Sequence, residues 1–156
     1  MKRTHPRYKS RRQKHKTRRT THKLRSCAKT PDAKAIITEN FLEMLNEIKI
    51  YHWNTHSYSQ HKATDELYAQ LNSHIDKFIE VLLGKKSDRI TNLSKHIPLH
   101  PSPTTKSFRD KILHYRDYLI DMDRCFNEKT DTDLLNIRDE ILADINQFLY
   151  LLTLNK

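Results

Sequence analysis

Residues 51–83 read YHWNTHSYSQHKATDELYAQLNSHIDKFIEVLL, and two periodicities run through them together. Leu67, Leu71, Ile75, Phe78, Ile79 and Leu82 recur every three or four residues, the mark of a helix with one buried face. His61, Asp65, Asp76 and Glu80 follow the same period along one border of that face, within an arc of about 100°. The spacing predicts a helix from about His61 to about Lys86, with Gly84, Lys85 and Lys86 suited to its C-terminal pole. At about 1.5 Å per residue, His61 and Asp76 are some 22 Å apart along the axis, too far to hold one metal cluster together. Two copies of the helix crossing antiparallel near Gln70 would bring His61 and Asp65 of one against Asp76 and Glu80 of the other. The stripe thus predicts a site shared between subunits.

Working outward, Ile37, Phe41, Met44, Leu45 and Ile48 form an apolar stripe on a preceding helix that runs to about Thr55. Thr30, Pro31 and Asp32 suit its N-cap, first position and first turn. His52 continues that stripe four residues beyond Ile48, so its imidazole is expected to point inward. A short break around Ser57–Gln60 brings it close to His61. Imidazole and carboxylate donors together suit iron, and also zinc or manganese. The same residues could be a solvated helix surface, with Asp76 and Glu80 pairing with Lys77 and His52 a satisfied core histidine. The Glu-x-x-His pattern of di-iron bundles is absent, which argues against an ordinary ferritin centre inside one bundle. Trp53 reads as a packing residue, and His56, His74 and His114 as surface or packing groups.

Residues 87–105, with Pro98, Pro101 and Pro103, read as a connection with room for a short helix around Asp88–Lys95. A third helix over about Lys106–Asn127 buries Phe108, Ile112, Tyr115, Leu119, Met122 and Phe126. A capping box from Thr130 to Asp133 opens a fourth, with Leu134, Ile141, Ile145, Phe148 and Leu152 on its face beside Leu135, Leu142 and Leu149. No strand and no internal repeat is evident. Short links within each half and a long one between them favour two antiparallel hairpins. A helix of about 39 Å is within reach of a 19-residue link that can extend to about 60 Å. The expected fold is therefore all-α, a ferritin-like four-helix bundle with a long crossover, over residues 31–156.

Charge divides the chain. Residues 1–30 hold 13 of the 29 Lys and Arg and none of the 19 acidic residues, so the formal charge of +10 belongs to this stretch. It is too polar to build a core, and it reads as a disordered basic tail. Lys2, Arg3, Arg7, Lys9, Arg11, Arg12, Lys14, Lys16, Arg18, Arg19, Lys23 and Arg25 are the candidate nucleic-acid contacts. They offer phosphate neutralisation, with Tyr8 alone for stacking, so DNA or RNA binding without sequence preference is expected. A solubilising or nuclear-targeting segment is the other use of such a stretch. No apolar run approaches the roughly 20 residues that span a bilayer, no apolar segment of a secretory signal follows the first charges, and a transit peptide would need an apolar helical face that residues 1–23 lack. Cys27 and Cys125 are isolated, which suggests a reducing compartment without disulfides, Cys27 a bystander and Cys125 a small core residue.

His52-Trp53-Asn54, then His61-x-x-x-Asp65, ten intervening residues and Asp76-x-x-x-Glu80 resemble the Dps mini-ferritins, the DNA-binding proteins of starved cells. The likeness covers the first two helices, about 50 residues; the last two match only in length and pattern. It implies an intersubunit ferroxidase centre, with His52, His61 and Asp65 from one subunit and Asp76 and Glu80 from its two-fold partner. It also implies a homo-oligomer, up to a hollow 12-subunit shell storing ferric oxide, and in some members a basic DNA-binding tail. The spacing of His52 and His61 is nine here against about twelve in that family, the tail is longer and the connection richer in proline. The chain is also similar to uncharacterised ferritin-like proteins of large DNA viruses, which implies an intracellular setting (cytoplasm, nucleus or nucleoid) or a virion. The alternative is a non-enzymatic nucleic-acid condensing protein that uses the bundle only as an oligomerisation scaffold.

Overall fold

The computed structural model describes Leu24, Cys27, residues 32–87 and residues 89–154. Four helices carry the fold: α1 (Ala33–Asn54), α2 (Tyr58–Lys86), α3 (Thr105–Asp121) and α4 (Thr132–Leu151). Single 3-10 turns follow α3 at Met122–Cys125 and α4 at Leu152–Leu154. Among the described residues there is no strand, and no helix is long and apolar enough to cross a membrane.

The helix ends show where periodicity misleads. α2 begins at Tyr58, three residues before its apolar pattern, because the Ser57 hydroxyl caps the Gln60 amide at 3.4 Å. At its other end the left-handed residue is Ser87 (φ 49°), while Gly84 stays helical. No short helix forms over residues 89–95, the described part of the expected segment. α3 opens on a reciprocal box in which Thr104 and Ser107 each cap the other's amide at 3.1 Å. The box expected from Thr130 to Asp133 does not form. Asp131 precedes α4 and accepts the Asn127 amide at 2.9 Å, while Asp133 accepts the Leu134 amide and the Lys85 ammonium. α3 also stops at Asp121, short of Asn127, where the chain tightens into the 3-10 turn. There the buried Arg138 guanidinium donates to the Leu119 carbonyl at 2.7 Å, beside the Met122 amide that the same carbonyl accepts. Thr30 and Pro31 lie outside the described residues; Asp32 precedes α1 without a side-chain cap.

Side-chain pairs fix the directions. Tyr51 stacks on Phe108, Glu47 pairs with Lys111, and Glu43 meets Tyr115, so α1 and α3 run antiparallel. His74 with Asp144, Lys77 with Glu140 and Lys85 with Asp133 set α2 antiparallel to α4. Lys49 with Asp65 and Phe41 with Phe78 do the same for α1 and α2, as Phe108 with Phe148 does for α3 and α4. Hence α2 and α3 point the same way. Their link returns along α1, where Glu39 accepts the Ser94 amide at 2.6 Å and Glu47 accepts the His100 amide.

The core receives one phenylalanine from each helix. Phe41, Phe78, Phe108 and Phe148 are buried, with edge-to-face contacts at 5.3 Å (Phe41–Phe78) and 5.9 Å (Phe108–Phe148). Most of the apolar stripes read from sequence are buried as expected, with Ile79, Phe126, Leu135, Leu142 and Leu149 half-buried at their margins. Burial, together with the nearby Glu43 and Glu47 carboxylates, raises the Tyr115 pKa, and burial pushes Tyr118 up to about 12. Replacing Phe41 by Ala should cost about 3–5 kcal/mol through lost burial and a cavity, read as a lower urea midpoint at unchanged slope. A loss below about 1 kcal/mol would mean that the centre collapses around the gap.

Candidate metal centre

His52 lies in the last turn of α1 and His61 in the first turns of α2, joined by the corner Thr55–Ser57. The two imidazoles stack, with ring centroids 3.9 Å apart and planes 23° from parallel. The nine-residue spacing therefore brings the two rings into contact. His52 Nδ1 is 3.0 Å from the His61 carbonyl oxygen, and His61 Nδ1 is 3.0 Å from the His52 carbonyl oxygen. A carbonyl oxygen can only accept, so each Nδ1 carries a proton, and in the neutral form of each ring the lone pair is on Nε2. Thr64 supports this arrangement: its hydroxyl donates to the Gln60 carbonyl at 2.7 Å and lies 3.3 Å from His52 Nδ1, where it can only accept.

The exchange also answers a helix-end problem. The last carbonyls of α1 have no partner within the helix, and the His61 ring fills one of them. Backbone need and side-chain tautomer are satisfied by one bond. Second-sphere bonds of this kind orient metal-binding imidazoles.

Asp65, one turn beyond His61, is more than half exposed, with its Oδ1 3.8 Å from His52 Nε2 and 3.5 Å from Lys49 Nζ. Lys49 also sits 4.7 Å above the Tyr68 ring. His52, His61 and Asp65 therefore come together at one corner. Asp76 and Glu80 do not join them; both are exposed further along α2, without an ion-pair partner among the described residues. Lys77, the expected partner of Asp76 and Glu80, instead pairs with Glu140 at 3.4 Å. Among the described residues no three His, Cys, Asp or Glu side chains converge as a metal site within one chain.

Several sequence readings are corrected. Trp53 is not a packing residue; it is 68% exposed, because one residue beyond inward-facing His52 turns it about 100° toward solvent. His74 is not partnerless: its Nδ1 lies 2.6 Å from Asp144 and its Nε2 4.0 Å from Glu140. His114 Nε2 accepts the Leu24 amide at 3.3 Å. Cys27 is no bystander and Cys125 no free core thiol, because they form a disulfide across 98 residues with Cα atoms 5.7 Å apart. Leu24 and Cys27 are buried, so the expected disordered tail does not extend unbroken to residue 30. Lys2 to Lys23 and Arg25, the candidate nucleic-acid contacts, lie outside the described residues. Sequence reasoning missed Lys49, though its place three residues before His52 on the same helix could have signalled it.

Residues 52–152 match a family described as a family of unknown function (DUF5856), and the chain belongs to it. The match begins at His52 and takes in α2, α3 and α4. No curated protein and no solved structure matches the chain.

The tautomers can be read directly. Nitrogen-15 spectra recorded where both rings are neutral should show His52 and His61 protonated at Nδ1 and bare at Nε2, and a neutral ring protonated at Nε2 instead would overturn the geometry above.

Proposed function

We propose that this protein is a mini-ferritin of the Dps type, binding Fe(II) between two subunits, oxidising it and retaining the ferric product. The observation that carries this is the reciprocal Nδ1–carbonyl exchange, with His52 Nε2 3.8 Å from the Asp65 carboxylate and the His61 ring stacked on His52, as a half-site. Nitrogen and carboxylate donors of this type suit Fe(II), with zinc or manganese as competitors. The site is completed by Asp76 and Glu80 of a second copy. Four antiparallel helix contacts and a long link between α2 and α3 favour the ferritin-like topology. Exposed Trp53 and Tyr58 flank the corner and offer aromatic surface to a two-fold neighbour.

Bound there, Fe(II) is the substrate and supplies the electron that dioxygen or peroxide removes. The chain's own part is to hold and orient. His61 and His52 present nitrogen lone pairs fixed by their backbone bonds, and Asp65 supplies negative charge. Lys49 neutralises Asp65 until a cation displaces it. Aerobic addition of Fe(II) should give ferric absorbance faster than buffer, with the gain lost in an His61→Ala/Asp65→Ala variant. An unaccelerated rate that is the same in the variant would overturn the enzymatic part, and a strict monomer in light scattering at micromolar concentration would overturn the shared site.

The basic stretch supports a second activity, the binding of DNA or RNA through phosphate. It also supports the rival reading, a condensing protein whose bundle is only a scaffold; protein free of iron, zinc and manganese after loading and desalting would favour that rival. If about six to eight cations per chain meet phosphate, log K against log salt should fall with a slope of about −5 to −7 on duplex DNA. The deletion that tests this should begin the chain at Thr21, because it keeps Leu24 and the Cys27–Cys125 bond. That variant should remain folded and lose nearly all DNA affinity at 0.15 M salt. Equal affinity with the full chain would remove nucleic acid from the function.

A further inference from the structure

Leu24 and Cys27 lie several residues before α1, and both are as buried as the core, at 6% and 3% exposure. They rest against the outer side of α3 and the 3-10 turn after it, bounding a groove of about 180 Å³ with His114, Tyr118, Met122 and Arg124. Three ties hold them there. The Leu24 side chain joins the apolar cluster, its amide donates to His114 Nε2 at 3.3 Å, and Cys27 is bonded to Cys125. The first two are weak: one leucine and one long hydrogen bond do not offset the entropy of ordering the segment they hold. The third is strong only while oxidised, because it closes a loop of 98 residues.

We propose that the Cys27–Cys125 disulfide is a redox-controlled latch that holds Leu24 and Cys27 in the α3 groove; while it is closed both stay there, and once it opens only the packing of Leu24 and its bond to His114 hold them. The opening step is thiol–disulfide exchange with a dithiol reductant. One thiolate of the reductant attacks one sulfur of the pair, forming a mixed disulfide and releasing the other cysteine as a thiolate that takes up a proton. The second reductant thiol then displaces the remaining cysteine. Two electrons and two protons pass to the protein, leaving two thiols and an oxidised dithiol. Disulfides in reducing compartments are commonly transient or redox-sensing, whereas oxidising ones keep them closed. This latch lies on α3 and its following turn, and it does not depend on the metal reading or on nucleic-acid binding.

Nothing in the release requires the bundle to open. Cys125 sits in the turn after α3, and its neighbours Met122 and Phe126 remain packed on the core, Phe126 at 5.8 Å from Phe78. The experiment uses the full chain, purified without reductant, then treated with dithiothreitol. Alkylation with iodoacetamide before treatment should label neither cysteine and after it both, with helical circular dichroism unchanged. Amide exchange at Leu24 should quicken at least tenfold on reduction, and Cys27→Ser and Cys125→Ser variants should match the reduced protein without reductant. Two alkylated cysteines in the unreduced protein would overturn the latch. So would Leu24 exchange unchanged by reduction, and so would global loss of helix on reduction.

Discussion

The side-chain oxygen of Gln60 is the point on which the corner of this fold turns. It accepts from the Tyr51 hydroxyl on α1, from Thr55 in the corner at 3.2 Å, and from Thr105 at the start of α3 at 3.2 Å. Tyr51 and Thr105 are also within 3.2 Å of one another. The α1–α2 corner and the distant start of α3 meet at one buried acceptor, and a buried polar network of this kind is costly unless every member is satisfied. Its effect is register. With Tyr51 held to Gln60, His52 must face His61, and the exchange of Nδ1–H groups with carbonyls follows. A slip of one residue would turn either imidazole by about 100° and leave two buried polar groups without partners.

The link between α2 and α3 is held by charge instead of apolar packing. Glu39, Glu43 and Glu47 recur every four residues on one face of α1, and an acidic stripe is an unusual thing to bury. Glu39 and Glu47 accept link amides, and Glu47, at 1% side-chain exposure, is neutralised by Lys111 at 2.7 Å. Lys111 in turn donates to the His100 carbonyl. The carboxylates thus supply a proline-rich, strandless segment with the hydrogen bonds it cannot make for itself. Removing one partner of such a pair leaves an uncompensated buried charge, so these residues specify where the link lies more than they stabilise it.

Which parts were legible in the sequence follows from the range of each interaction. Helices and their buried faces are local, periodic signals, so four stripes ending in Ile48, Leu82, Met122 and Leu152 were visible. The inward turn of His52 was visible for the same reason. Helix ends depend on which polar atom wins an orphan amide, and Asp131 capping Asn127 in place of a Thr130 box carries no periodic signature. The Cys27–Cys125 bond spans 98 residues and joins a basic stretch to a helix end. Spacing could not pair the two cysteines. His74 with Asp144 is equally silent, since neither helix alone shows that its polar border faces the other's.

The antiparallel register separates the two chemistries of the molecule. Tyr51 against Phe108 places the histidine corner at the N-terminal end of α3, and Cys125 lies just past its C-terminal end. The 17 residues of α3 alone put about 25 Å between them. At that distance a surface charge is screened by roughly three Debye lengths at physiological salt, about 8 Å each. A change of charge at the Cys27–Cys125 end therefore has little direct electrostatic influence on the His52–His61 corner. Coupling between the ends would have to pass through α3 itself, whose buried face is fixed by Phe108, Ile112, Tyr115 and Leu119 and offers no second packing. A rigid helix between the histidine corner and a covalent tether lets each be altered without disturbing the other.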